Sequence, residues 1–247
     1  MVSIGIQLYT LVGLDESLLE KTRRVAETDF DGVEFAGIEG SDPHRLAADL
    51  AEAGLEPLGA HVDVDELEAD YEEVVETYRA IGCTHLVIPR YDPAAFETVA
   101  GVEEAAERIS SLARRLASDG FRLSYHNHRF EFVPLGDATA FDVFVDHLDD
   151  LVGLEIDTGS AQHAGQDPVE LLNRYSDRID LVHLTDTRSD LDSTVHVELA
   201  AGEVDLAACV RAARDTGVDA IIYEHGKTTD PVGSLQHGNL SLPRLTL

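Results

Sequence analysis

The chain has no tryptophan, one methionine, two cysteines and only two lysines, Lys21 and Lys227, among 247 residues. Cys83 and Cys209 lie far apart inside apolar segments, a spacing that suits neither a disulfide framework nor a thiolate metal site. They read as buried free thiols. No apolar run approaches the roughly 20 residues that span a bilayer, and no basic stretch leads into an apolar one at the start. A cytoplasmic protein with no membrane partner is expected. Positive charge is scarce: 18 Lys+Arg stand against 48 Asp+Glu, a formal net charge of −30. Such a field repels nucleic acid, which is excluded as a partner. Disorder does not follow from the acidity, because hydrophobic periodicity persists along the chain and hydrophobic residues make up 44% of it. Acidic, lysine-poor surfaces suit halophilic cytoplasms in which salt screens self-repulsion. The charge reflects solvent and says little about substrate.

What is present is an alternation of short β-rich runs and amphipathic stretches. Strands are predicted at Ile4–Tyr9, Val33–Ala36, Pro57–Val62, His85–Pro89, Arg122–Tyr125, Val152–Asp157, Ile179–His183 and Ala220–Glu224. Between them, helical spacing covers Asp15–Thr28, Pro43–Leu50, Glu66–Ile81, Val102–Ala117, Phe141–Leu148, Pro168–Tyr175 and Leu206–Thr216. Residues 231–247 are rich in turn formers and predict at best a short closing helix. Eight such alternations without a linker or repeat predict one (β/α)₈ TIM-barrel domain over residues 1–247. An open doubly wound sheet is the runner-up. It is disfavoured because no glycine-rich phosphate loop follows the first strand.

Three of the later strands end on metal-binding side chains, Asp157, His183 and Glu224, and carboxyl ends of parallel strands converge on one face. Any one of them has an ordinary explanation: an aspartate caps the next helix, a histidine sits satisfied in the core. Three on consecutive strands point instead to a divalent metal, because burying each without a partner is costly. The loop after the fifth strand offers His126, Asn127, His128 and Glu131 for a fourth ligand. Glu131 gives an oxygen-rich site suited to Mn²⁺, Mg²⁺ or Co²⁺ and tolerant of Zn²⁺; His126, nearest the strand end, is the alternative. His61 and Arg90 end the third and fourth strands and are placed to meet substrate hydroxyls. Lys227, just past the eighth strand, either binds a phosphate or carboxylate at the mouth or is a solvated loop residue. Gln7 reads as a core hydrogen-bonding residue, and Glu34 either faces the barrel rim or joins the many surface glutamates.

The sequence Tyr-His-Asn-His-Arg-Phe-Glu-Phe at 125–132 resembles the recurring Tyr-His-Asn-His-x-x-Glu-Phe signature of the sugar phosphate isomerase/epimerase family, whose barrel is xylose-isomerase-like. Glu155-Ile156-Asp157-Thr158-Gly159, Val182-His183-Leu184-Thr185-Asp186 and Ile222-Tyr223-Glu224-His225 fall where that family places later ligands. The resemblance covers nearly the whole chain and is most specific from Arg122 onward. It implies a strand-end Glu, Asp, His and Glu around a divalent metal, sugar substrates, and barrels that often pair as homo-oligomers. Departures are visible. His126 stands where members with Glu-Asn-His have their first ligand, Thr185 where relatives often carry lysine, and Ala200-Ala201-Gly202 in place of a Gly-x-Gly turn.

These residues predict a metal-dependent isomerase or epimerase of a small sugar, keto-sugar or sugar phosphate working through an enediolate. Glu131 or Glu224 would move the proton, and His126 or His128 would polarise or protonate a substrate oxygen. The same start serves β-elimination in a dehydratase or lyase acting on an inosose or 3-keto-glycoside. A non-catalytic sugar-binding protein is a further alternative. Endonuclease IV-like repair is disfavoured by the charge and by Ser160, where those enzymes carry a further histidine.

Overall fold

In the computed structural model, which describes residues 2–190 and 196–246, eight parallel strands close into a barrel. They are β1 (Ser3–Gln7), β2 (Gly32–Phe35), β3 (Glu56–His61), β4 (His85–Ile88), β5 (Arg122–His126), β6 (Val152–Asp157), β7 (Ile179–Leu184) and β8 (Ala220–Tyr223). Each pairs with the next, and β8 closes on β1 with Ser3 opposite Ala220 and Ile6 opposite Tyr223. On the other side of β1, Gln7 stands in register with Glu34 of β2.

The period of two along a strand sorts the barrel interior from the helix layer. Leu181 and Ile222 belong to a small inner cluster with Val87 and Ala220. Two residues further along the same strands come His183 and Glu224. The apolar plug therefore lies beneath the polar strand ends. A much larger apolar cluster, including Phe96, Phe141, Phe144, Leu112 and Val210, packs the helices against the outside.

Several helices have the caps that their sequences offer. Ser17 and Glu20 form a reciprocal capping box on Leu18–Val25, so that helix is shorter than the periodicity over Asp15–Thr28 suggests. Asp167 accepts from Val169 N–H and starts Pro168–Arg174. The expected single helix over Glu66–Ile81 is two, Val64–Ala69 and Tyr71–Ile81, broken at Asp70 with φ −124° and ψ 34°. A short helix, Thr158–His163, directly follows Asp157.

The tail departs furthest from expectation. Pro231–Thr246 is a 16-residue helix. Its two internal glycines depress intrinsic propensity, but Leu235 and Leu242 are buried, and packing outweighs propensity. Gly238 is required there: a Cβ would stand 2.4 Å from the Tyr223 ring. Both cysteines are free and buried. Among the described residues no helix is long and apolar enough to cross a membrane.

Candidate active site

His126 at the end of β5, Asp157 at the end of β6, His183 in β7 and Glu224 after β8 are all buried, and one ligand atom from each lies within 4.8 Å of the others. Asp157 performs both tasks that an aspartate at a strand end can have. Its Oδ1 caps the following helix, accepting from Ser160 N–H at 2.6 Å and from the Thr185 hydroxyl at 2.8 Å. Its Oδ2 is buried with no hydrogen-bond partner. Thr185 is thus a buttress for Asp157. The space around it is tight, since Gly159 N–H donates to its hydroxyl at 2.7 Å.

A carboxylate layer lies one step deeper. Glu155, two residues before Asp157 on the same face of β6, places Oε2 at 2.8 Å from His126 Nδ1 and 2.9 Å from His61 Nε2. Glu34 of β2 places Oε2 at 2.6 Å from His183 Nε2 and accepts from Gln7 Nε2 at 2.8 Å. The other nitrogen of His183, Nδ1, is 3.1 Å from Glu224 Oε2. His183 therefore faces Glu224 with one ring nitrogen and Glu34 with the other. His61, His126, Glu155 and His183 form a second, overlapping group of potential ligands.

The residues present fit a divalent cation. Three carboxylate oxygens, Glu34 Oε1, Glu155 Oε1 and Asp157 Oδ2, are buried without hydrogen-bond partners, a costly arrangement unless positive charge balances it. Four carboxyl groups crowd the site: against the opposing effect of burial, Glu155 and Glu34 hold the His183 imidazole well above its usual range. Asp157, Glu224, His126 and His183 would hold the ion, with Glu34 and Glu155 orienting the two imidazoles from behind.

The electrostatics follow from burial and neighbours. Burial raises Glu34, and the adjacent Glu155 charge raises it further. Burial also opposes ionisation of Glu155, but His183, His126 and His61 hold its carboxyl well below the usual range. Glu224 behaves likewise: the His183 contact overcomes burial and brings it down to about 2. His128 is pushed down to about 3 by burial and by His126, which keeps it neutral.

Glu131, expected as the oxygen ligand, is not brought into either group. Both of its oxygens are occupied, Oε1 accepting from Tyr125 Oη–H at 2.8 Å and Oε2 from His128 N–H at 2.9 Å. Burial raises its carboxyl to about 7, partly offset by the Tyr125 bond. Glu131 is buried within the 3₁₀ turn Phe130–Phe132, and His126 stands with the quartet. His61, expected to meet substrate, lines a cavity of about 550 Å³ and is also tied to Glu155. Arg90, His128 and Lys227 line the same cavity together with His126, Asp157 and Glu224. Arg90 stacks over Phe130 with its guanidinium carbon 5.3 Å from the ring centroid, and Lys227 is exposed on a left-handed backbone with φ 58°.

Sequence reasoning gave Glu155 no role and left Glu34 undecided. The period-two relation to Asp157 was the available signal for Glu155. It missed His196 altogether. This loop residue lines the cavity with Nε2 at 3.3 Å from Asp157 Oδ2, and nothing in its local sequence marks it.

The chain belongs to the xylose isomerase-like TIM barrel family, whose sequence model matches residues 22–239. The chain is 30% identical over 200 residues to an inosose dehydratase of Geobacillus kaustophilus, an alignment covering 70% of this chain and 63% of that protein. In three dimensions it matches a sugar phosphate isomerase/epimerase of Parabacteroides distasonis with a TM-score of 0.84 at 17% identity, covering 99% of this chain and 98% of that one. The IOLI protein, whose structure holds a zinc atom, matches with a TM-score of 0.77 at 14% identity over 99% of this chain and 98% of its own. These structural likenesses define the barrel. Both the sequence relative and the Parabacteroides neighbour are enzymes of sugar or polyol chemistry.

Proposed function

We propose that this protein is a divalent-metal-dependent dehydratase of a small keto-polyol of the inosose class. The observation that carries the reading is the state of Glu224. Of the carboxylates around the quartet, Glu34, Glu131, Glu155 and Asp157 are fully buried, whereas Glu224 keeps 8% exposure. Its Oε2 meets His183, and its Oε1 makes no hydrogen bond among the described residues. Interconversion of epimers needs proton handling on both faces of the reacting carbon. One open carboxylate suits a one-sided process, which β-elimination and aldose–ketose isomerisation both are, and the choice between those two rests on the sequence relative. The similarity to the Geobacillus inosose dehydratase supports the same reading.

A bound divalent cation would supply Lewis acidity toward the substrate carbonyl. Two imidazoles and two carboxylates suit zinc, cobalt or manganese better than magnesium. Glu224 Oε1 takes the proton from the carbon beside the carbonyl. The C–H electron pair becomes the new C=C bond, and the C–O bond at the next carbon breaks with its pair on oxygen. Glu224 returns the proton to that oxygen, which leaves as water. His128, neutral and at the cavity wall, contributes ring nitrogens to hydroxyl recognition, as do the Arg90 and Lys227 cations at the mouth.

The test is product analysis with metal-loaded protein and a keto-polyol. Loss of one water by mass, with a new conjugated enone absorbance, supports the proposal. Mass-neutral conversion would move the assignment to isomerisation or epimerisation, and binding without turnover to a non-catalytic role.

A further inference from the structure

We propose that His196 is a fixed N–H donor to the substrate's carbonyl oxygen, an inference that rests on the enolising site described above. Gly226 N–H donates to His196 Nδ1 at 3.2 Å. A nitrogen that accepts carries no proton, so the imidazole is the tautomer with hydrogen on Nε2. That Nε2 faces the cavity 3.3 Å from Asp157 Oδ2. Oδ2 has no hydrogen-bond partner of good geometry, and the contact with Nε2 is a long one. Nε2–H is therefore only loosely engaged by Asp157 and can reach a second acceptor in the cavity, beside the Asp157 oxygen that would face a cation. A carbonyl oxygen drawn to the quartet meets this N–H, and the negative charge that develops there on proton loss strengthens the bond. Neutral imidazole suffices for donation, and no proton need leave His196.

The donor is also held in place, which a useful electrostatic group requires. Next to His196, Val197 N–H donates to Asp186 O at 2.8 Å. Asp186 in turn accepts from Gly202 N–H at 2.9 Å and Val204 N–H at 3.0 Å. Glu198, two residues on, is fixed by the Tyr223 hydroxyl at 2.9 Å, by His225 Nδ1 at 3.1 Å and by the Ser234 hydroxyl. The loop that carries His196 is thereby bound to β8 and to the C-terminal helix.

Wild type, His196→Ala and His196→Gln, all metal-loaded, are compared in metal content, calorimetric affinity for a keto-polyol, and kcat. The imidazole tautomer of the wild type is read from ¹⁵N NMR. The expected results are an Nε2–H tautomer, equal metal content in all three, and kcat lower by about 10²-fold in His196→Ala. His196→Gln, whose amide keeps an N–H donor, should recover most of that loss. Metal loss in His196→Ala would make the residue a ligand and overturn the proposal, as would an Nδ1–H tautomer, unchanged kcat, or a glutamine variant no better than alanine. If wild type binds the ketone without turning it over, the dehydratase reading has failed. The donor assignment then stands or falls on whether His196→Ala weakens that binding about tenfold while His196→Gln keeps it.

Discussion

Glu34 and His183, 149 residues apart in sequence, meet inside the barrel with Oε2 and Nε2 2.6 Å apart. A carboxylate at that distance fixes the tautomer and the plane of the imidazole, and so presents Nδ1 to the quartet. Glu34→Gln should keep the fold and lower metal affinity by about 10- to 100-fold. Metal titration of the apoprotein checks this; unchanged affinity would make Glu34 irrelevant to the site.

His126 and Glu131 give opposite expectations. His126→Ala should greatly reduce metal content. Glu131→Ala should retain metal and lower stability by about 1–3 kcal/mol, because the buried Tyr125 hydroxyl and His128 amide lose their acceptor. Metal analysis and denaturant unfolding of the two variants, side by side, decide the matter. An empty site in Glu131→Ala would restore it as a ligand.

Glu224→Gln should reduce dehydration by roughly 10²-fold or more while the barrel remains folded, since the amide cannot take the proton. Steady-state kinetics at saturating metal, with circular dichroism as the folding control, provides the measurement. Near-wild-type turnover would remove Glu224 as the base.

Two non-glycine residues near the site adopt left-handed backbone conformations, Ala200 at φ 66° and Lys227 at φ 58°. Ala200→Gly should stabilise the protein by about 1 kcal/mol by relieving that conformation. Lys227→Gly should stabilise by a similar amount but raise KM, because a cation at the cavity mouth is lost. Thermal unfolding and KM measured on both variants separate strain relief from function.

His85 makes the fold acid-sensitive. Burial, and the Arg122 guanidinium beside it, bring its imidazole down to about 4. In the unfolded chain it titrates near ~6.5. Between these values the unfolded state binds the extra proton, so His85's contribution is present above ~6.5 and is lost as pH falls toward about 4. Unfolding free energy measured across that window should fall less steeply in His85→Asn than in wild type. Identical slopes would assign the acid sensitivity elsewhere.

The repeated strand–helix pattern determined the barrel because the period of two and the helical period are local properties of the chain. The same locality exposed Asp157, His183 and Glu224, each a polar end on an otherwise apolar strand. Locality also set the errors. The tail's glycines and prolines argued against a long helix, and the packing of Leu235 and Leu242 into the core overrode them. Glu131, in the loop after the fifth strand, looked like the residue that would complete an oxygen-rich site, whereas it accepts from the Tyr125 hydroxyl and the His128 N–H. Ring orientation, the pairing of Glu34 with His183 across the barrel, and the arrival of His196 beside Asp157 are relations between distant segments. Barrel closure brings their atoms within a few ångströms of each other, and no spacing along the chain records that distance.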